Sequence, residues 1–333
     1  MEKKMKFGVF GCRHYHIEIA VAQLLAMGHT CIGVYEKEGS LAQMLARQYS
    51  LPLVTDETAF FACEPEIVLC ASINNEKIDI IEKCCARGVH VMLDKPLVIS
   101  MDDYRRLEHA FELGKPQIGM MLTERFNPSV CALKDLIDRR ELGNLIGFAF
   151  SKPHKLNPGE RESWHFNKKQ NGGPVIDLMI HDIDLIRWLS GSEILNISGY
   201  MKVGNCADYL QLYDDAKLLI LMDNGITAIM ATDWWTPDAY PCFGNGRILC
   251  TGTRGKCEVY TTGEPLFRKG EFAILSTQTA AEEIVTNITP GKNMMEDFLE
   301  RVAGRPSIIT SQDILRTTWD SLVADQSCKV IRS

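Results

Sequence analysis

Strand and helix signals alternate through the first 122 residues, and that alternation restricts the fold more than any other feature. Lys6 to Phe10 reads as a short apolar strand running into a glycine turn. Ile17 to Met27 has helical periodicity, and Cys31 to Tyr35 is a second strand followed at once by Glu36. Ser40 to Tyr49 is a helix with Leu41, Met44 and Leu45 as its apolar positions. Ile67 to Ala71 is a fully apolar strand, and Lys77 to Arg87 is a helix stopped by Gly88. Val89 to Leu93 is a strand ending in Asp94-Lys95-Pro96, Asp102 to Leu113 is a helix, and Gln117 to Leu122 is a last strand. Parallel strands need a crossover and the intervening helices supply it, so the pattern predicts a doubly wound parallel sheet.

Beyond residue 122 the pattern changes. Val130 to Asp138 reads as a helix and Ile146 to Ser151 as a strand, followed by a polar loop up to Gly173. The run from Gly172 to Leu189 reads as one helix, apolar almost all round and therefore buried. Strand signals then follow without helices: Asn196 to Val203, Tyr209 to Tyr213, Lys217 to Met222, Ile226 to Trp235, Ile248 to Thr251 and Lys256 to Tyr260. Asp223-Asn224-Gly225 and Gly252-Thr253-Arg254-Gly255 are hairpin turns. Met294 to Val302 and Ser311 to Ala324 would be closing helices.

The chain is long enough, at 333 residues, for two domains. The expectation is an α/β protein. Residues 1–122 form a Rossmann-like dinucleotide-binding domain. Residues 123–333 form an α+β substrate-binding domain with a large, mostly antiparallel open sheet. Helices would cover one face of that sheet and a second subunit the other, giving a homo-oligomer, a dimer or tetramer.

A net charge of −7 argues against coating nucleic acid or an anionic membrane. No apolar run approaches the ~18 residues of a membrane span. The charged start, Met1 to Lys6, is followed by a stretch too short and too polar for a secretory signal, so a cytoplasmic location is expected. Twelve cysteines are scattered without a Cys-x-x-Cys pair, which reads as reduced, buried thiols with no metal centre.

Three places carry chemistry. In the buried run, Asp177, His181 and Asp184 recur at spacings of four and three; on one helix they would project within about 60° of each other. Burying two carboxylates and an imidazole is costly unless they are paired or used. Next, Gly8-Val9-Phe10-Gly11-Cys12-Arg13-His14-Tyr15-His16 stands where strand meets helix, the place of a dinucleotide fingerprint. Only Gly11 is in register with it; Arg13 and His16 occupy the later glycine positions. Glu36, at the end of the second strand, is placed to accept from ribose hydroxyls and favours NAD over NADP, with Lys37 as a counterweight. Lastly, Lys95 follows the end of a parallel strand, where open α/β sheets bind ligands.

Together these residues resemble the glucose–fructose oxidoreductase/inositol dehydrogenase (Gfo/Idh/MocA) family. The family's Glu-Lys-Pro is here Asp94-Lys95-Pro96. Its Gly-Gly, Asp-x-x-x-His-x-x-Asp and Trp-Leu-x-Gly are Gly172-Gly173, Asp177, His181, Asp184 and Trp188-Leu189-Ser190-Gly191. Its Arg-Phe-x-Pro is Arg125-Phe126-Asn127-Pro128, and its Gly-Thr-x-Gly is Gly252 to Gly255. The resemblance implies hydride transfer between a nicotinamide and a sugar, cyclitol or related polyol. NAD is the implied cofactor, with NADP as the alternative. Lys95, Asp177 and His181 fall on the catalytic positions. Gly8, Gly11, Cys12, Arg13, His14, Glu36, Ser72, Asn74, Asp94 and Lys95 fall on the cofactor side, and Arg125, Trp164 and His165 join Lys95, Asp177 and His181 toward the substrate. The family's Thr-Pro-Asn-x-x-His appears as Ser72-Ile73-Asn74-Asn75-Glu76-Lys77, without its proline and histidine. An NAD-using glycosidase or lyase, and a non-catalytic ligand sensor, are the alternatives on the same scaffold.

Overall fold

The computed structural model describes residues 3–114, 116–264, 268–280, 283–285 and 291–332. Met1 and Glu2 of the charged start lie outside the described residues. The chain divides into two units, Met1–Leu122 with Lys292–Thr318, and Thr123–Gly291 with Trp319–Ser333.

The first unit holds strands β1 (Lys6–Cys12), β2 (Thr30–Tyr35), β3 (Ile67–Ala71), β4 (His90–Leu93) and β5 (Ile118–Met120). They form one parallel sheet in the order β2-β1-β3-β4-β5. All five residues of β3 are buried, which explains why it is an uninterrupted apolar run. The crossovers carry α1 (His16–Ala26), α2 (Gly39–Tyr49), α3 (Glu57–Ala62), α4 (Lys77–Ala86) and α5 (Met101–Glu112). Asp56 caps α3 by accepting from Ala59 N, and Ser100 caps α5 by accepting from Asp103 N.

The helix Met294–Val302, expected in the second domain, belongs to the first unit. Its Met294, Met295 and Phe298 are buried. A Cβ on Gly119 of β5 would lie 2.9 Å from the Phe298 ring, so the absence of a side chain there makes room for it. Arg301 Nη2 donates to Ile118 O at 2.8 Å, and Met295 N donates to Gln23 Oε1 at 3.1 Å.

In the second unit, α6 (Pro128–Asp138) starts with its proline in the first turn, where no amide donor is needed. A nine-stranded sheet contains β6 (Leu145–Pro153), β7 (Ile194–Val203), β8 (Tyr213–Met222), β9 (Thr227–Asp233), β10 (Arg247–Gly252) and β11 (Gly255–Tyr260). The short β12 (Gly263–Glu264) and β13 (Arg268–Lys269) pair apart from it. β14 (Phe272–Thr277), β15 (Glu283–Val285) and β16 (Cys328–Arg332) complete the order β15-β14-β11-β10-β6-β9-β8-β7-β16. Pairing is antiparallel except at β6–β9 and β7–β16. Burial alternates along β8 and β9. Ala216, Leu218, Ile220, Ala228 and Met230 join the core, while Leu219, Leu221 and Ile229 face outward and are exposed. Val130, Leu133, Val175, Met179 and Ile183 supply the helical side of that core.

Two sequence expectations fail here. Tyr209 to Tyr213 is not a strand: Tyr209 N donates to Cys206 O and Leu212 N to Tyr209 O, which makes consecutive turns before β8 begins. The run from Gly172 to Leu189 is also not one helix, as described below.

Candidate active site

In the first unit, the loop after β1 turns at Gly11, where φ is +90° and a Cβ would collide with Ser72 Oγ. Only glycine fits there. Gly8 serves a different purpose from the one expected. A Cβ on it would lie 2.6 Å from the Phe60 ring, so it lets α3 pack on the sheet rather than opening the loop to a cofactor.

Glu36 is buried and its carboxylate gathers the loop. Oε2 accepts from Cys12 N at 3.0 Å, and Oε1 accepts from Arg13 Nε at 3.0 Å and from Glu38 N at 3.2 Å. Arg13, expected on the cofactor side, is thus ion-paired with the carboxylate expected to face ribose. A cavity of about 170 Å³ opens beside Gly11, Glu36, Lys37 and Ser72. The first turn of α1 is satisfied within the loop. His16 N donates to His14 Nδ1 at 3.3 Å, Ile17 N to His14 O and Glu18 N to Tyr15 O. His14, one residue before the N-cap Tyr15, thus accepts the first amide of α1.

At the end of β4, Asp94 is 1% exposed and Lys95 is 5% exposed. His16 Nδ1 lies 2.7 Å from Asp94 Oδ1, and His14 Nδ1 lies 3.2 Å from Oδ2. Burial pushes the Asp94 carboxyl up, but His14, His16 and Lys77 together outweigh it and hold it well below the usual carboxylate range. Lys77 stands where the family's histidine is missing. It is fully buried, and its ammonium donates to Asn74 Oδ1 at 2.8 Å and to the carbonyls of Asp94, Lys95 and Pro96 at 2.9, 3.3 and 3.1 Å. Asn74, expected at the cofactor, is thus tied into the scaffold of the Asp94-Lys95-Pro96 turn.

In the second unit, α7 (Lys168–Asn171) ends in Gly172 and Gly173, with φ of +99° and +85°. The two glycines aim the chain into α8 (Pro174–Asp177), and α9 (Ile180–Ser190) begins after a break at Leu178 and Met179. Met179 N reaches back five residues to Pro174 O at 3.1 Å, so the α-helical ladder is interrupted there. One regular helix therefore does not carry all three residues: Asp177 ends α8, and His181 and Asp184 stand on α9. Asp177 Oδ2 accepts from Asn171 Nδ2 at 3.1 Å, and Asn171 Oδ1 accepts from Gly173 N at 2.9 Å. Asn171 thus positions Asp177, a role no sequence signal marked. His181 is 6% exposed in the first turn of α9.

Asp184 belongs elsewhere. Arg125 grips it with Nε–Oδ2 and Nη2–Oδ1 contacts of 2.7 Å each, and both residues are 1% exposed. Arg125, expected at the substrate, is instead buried in this pair and against the Trp188 ring. Trp164, expected toward the substrate, is buried and stacked on His165 with ring centroids 3.7 Å apart. Its Nε1 has no acceptor among the described residues.

Asp182, beside His181, is buried with its Oδ1 2.7 Å from Lys152 Nζ, which also donates to both oxygens of Glu124. Burial and the neighbouring Glu124 raise Asp182 to about 6, against the pull of Lys152. A folded-state value above the unfolded one means stability that is present below about pH 4 and lost as pH rises through about 6. The wild type is therefore expected to lose on the order of 1–3 kcal/mol across that window relative to Asp182→Asn. Urea unfolding at several pH values measures it, and parallel stability curves would refute it.

Residues 5–118 match the family described as "Oxidoreductase family, NAD-binding Rossmann fold", and residues 130–258 match the "GFO/IDH/MocA C-terminal domain". The scyllo-inositol 2-dehydrogenase (NAD(+)) of Bacillus subtilis (strain 168) is 26% identical over 296 residues, 86% of this chain and 81% of that enzyme. The rhizopine catabolism protein MocA of Rhizobium meliloti is 28% identical over 254 residues, 76% of this chain and 72% of that protein. The aldose-aldose oxidoreductase of Caulobacter crescentus superposes with a TM-score of 0.81 over 98% of this chain and 97% of that one. At 16% identity this is a likeness of fold alone.

Proposed function

Since the chain belongs to the Gfo/Idh/MocA family of NAD-binding oxidoreductases, acting on CH–OH groups, we propose that Lys95, Asp177 and His181 carry its chemistry on a sugar, cyclitol or related polyol. When bound, the nicotinamide supplies the hydride acceptor or donor. In the oxidative direction His181 accepts the proton of the reacting hydroxyl. The Lys95 ammonium stabilises the negative charge developing on that oxygen, and Asp177, steadied by Asn171, orients the substrate or His181. The observation that carries this reading is the presence of buried ionisable side chains at both family positions, Lys95 after β4 and Asp177 with His181 around the helix break. The orphaned indole N–H of Trp164 supports a polar ligand in the second unit.

Gly11, Ser72 and Glu36, with the cavity beside them, fit the nucleotide. Titration with NADH and NADPH, followed by nicotinamide fluorescence, tests the reading. Saturable binding together with net NADH formation from a polyol supports it, and a folded protein that binds neither nucleotide overturns it. Arg13 neutralises Glu36 and so permits a 2′-phosphate. Arg13→Gly is expected to shift the NADPH-to-NADH dissociation-constant ratio by about tenfold or more toward NADH, because one bare charge near a surface is worth ~1–4 kcal/mol at 4 Å. An unchanged ratio would remove Glu36 from the ribose.

A homo-oligomer belongs to the same reading. Leu219 and Ile229 are direct partners in the β8–β9 register and, with Leu221, leave an apolar face exposed. We place a second copy on it. Leu219→Lys with Ile229→Lys is expected to yield a monomer in sedimentation, and a wild type that is already monomeric at micromolar concentration would end the proposal. A cytoplasmic location accords with twelve cysteines that stand as thiols rather than in disulfides. Among the described residues no helix is long and apolar enough to cross a membrane.

A further inference from the structure

We propose that His14, His16 and Asp94 form a binding site for one divalent transition-metal ion at the C-terminal edge of the parallel sheet. The inference does not depend on the dehydrogenase reading. Its basis is a juxtaposition within the first unit. The loop between β1 and α1 supplies two imidazoles two residues apart, and the end of β4 supplies a carboxylate. One ligand atom from each of the three lies within 4.8 Å of the others.

The donor set selects the metal class. Two imidazoles with one carboxylate suit zinc, cobalt, manganese or iron, whereas magnesium and calcium prefer all-oxygen shells. Metal–ligand bonds of about 2.0–2.2 Å place neighbouring ligand atoms roughly 3.4 Å apart in a tetrahedral shell. His14 Nδ1 and Asp94 Oδ2, at 3.2 Å, are already near that spacing. His16 Nδ1 lies 2.7 Å from the other oxygen, Oδ1, and needs to part from it by roughly 0.7 Å, which side-chain rotation supplies. A metal at His14 Nδ1 takes the lone pair that now accepts the His16 amide proton, so binding replaces that hydrogen bond. The His16 Nδ1 proton now shared with Asp94 leaves to solvent when the metal binds.

The support around the ligands is also built. Lys77 Nζ stands 3.8 Å from Asp94 Oδ2, and its hydrogen bonds go to Asn74 and to the three carbonyls of the turn that carries Asp94. It fixes the position of the carboxylate from outside, the role outer-shell groups play around metal ligands. Its charge opposes a cation, but it is shared among those four oxygens. Three protein ligands leave coordination positions open to water, or to an oxygen of a phosphate or polyol. The cysteine spacing gave no sign of such a site because its ligands are not thiols. The signal was His-x-His at a strand end, and its third member is 78 residues away from His16.

The experiment uses the full chain, stripped with chelator and free of nucleotide, titrated with Co²⁺ by visible absorption and then with Zn²⁺ in competition. One equivalent of Co²⁺ is expected, with the d–d bands of a nitrogen- and oxygen-ligated ion. His16→Ala and Asp94→Asn are each expected to weaken binding by about a hundredfold or more. Should either fail to fold by circular dichroism, His14→Ala in the surface loop reads the same loss. No saturable binding, equal affinity in the His14→Ala variant, or a sulfur-dominated shell in X-ray absorption overturns the proposal, the last by assigning the ion to thiols.

Discussion

Turnover is expected to fall by about three orders of magnitude when either Lys95 or His181 is replaced by alanine, within the range general acid–base groups contribute. Nucleotide affinity should stay within a few-fold of wild type in both variants. The two losses differ in kind. His181→Ala removes the proton acceptor, so its residual rate should rise with pH as substrate alkoxide becomes more available. Lys95→Ala removes charge stabilisation that is used mainly in the transition state, so kcat should fall with little change in KM. Steady-state kinetics across pH, paired with NADH titration, separates these outcomes. Unchanged activity in either variant would discard the mechanism. A collapse of nucleotide binding in Lys95→Ala would instead assign Lys95 to the cofactor.

The second large effect concerns stability. Arg125 and Asp184 make a two-point ion pair with both partners 1% exposed. Replacing one partner leaves a buried charge without its complement, at a cost of about 3–5 kcal/mol. Arg125→Ala or Asp184→Asn is therefore expected to lower the melting temperature by roughly 10 °C, taking about 2–4 °C per kcal/mol for a unit of this size. A double replacement by apolar residues of similar volume, Arg125→Met with Asp184→Leu, should recover most of the loss, since the charges themselves contribute little net stability over a packed apolar pair. Differential scanning calorimetry decides. Single variants that melt with the wild type would mean that water reaches the pair, and a double variant as damaged as the singles would mean that both charges serve the fold.

Much of this was legible in the chain. The parallel sheet announced itself because each of its strands is an apolar run that a helix signal follows, and Asp223-Asn224-Gly225 marked its hairpin because only such residues take the turn. Pairings across long separations were not legible. Asp184 reads as a member of a charged stripe until the fold brings Arg125 to it from 59 residues away. Local periodicity could not reveal the break at Leu178 and Met179, since no glycine or proline stands there and Pro174 acts from five residues upstream. Lys77 and Lys152 look like ordinary surface lysines, and only the oxygens gathered around them make them interior residues. Arg13 was visible as an oddity in a glycine loop, but its attachment to Glu36 required the end of β2 to be placed beside that loop.

The return of Lys292–Thr318 to the first unit bears on how the protein is made. During synthesis, the parallel sheet leaves the ribosome long before the helix Met294–Val302 that covers Gly119 and caps the sheet's edge with Arg301. The whole second unit up to Gly291 is translated in between. The nascent nucleotide unit therefore waits with part of its apolar surface bare, a state that chaperones bind and that a fragment ending at residue 122 would never leave. Excising the unit for study would require keeping residues 292–318 with residues 1–122, rather than truncating the gene after residue 122.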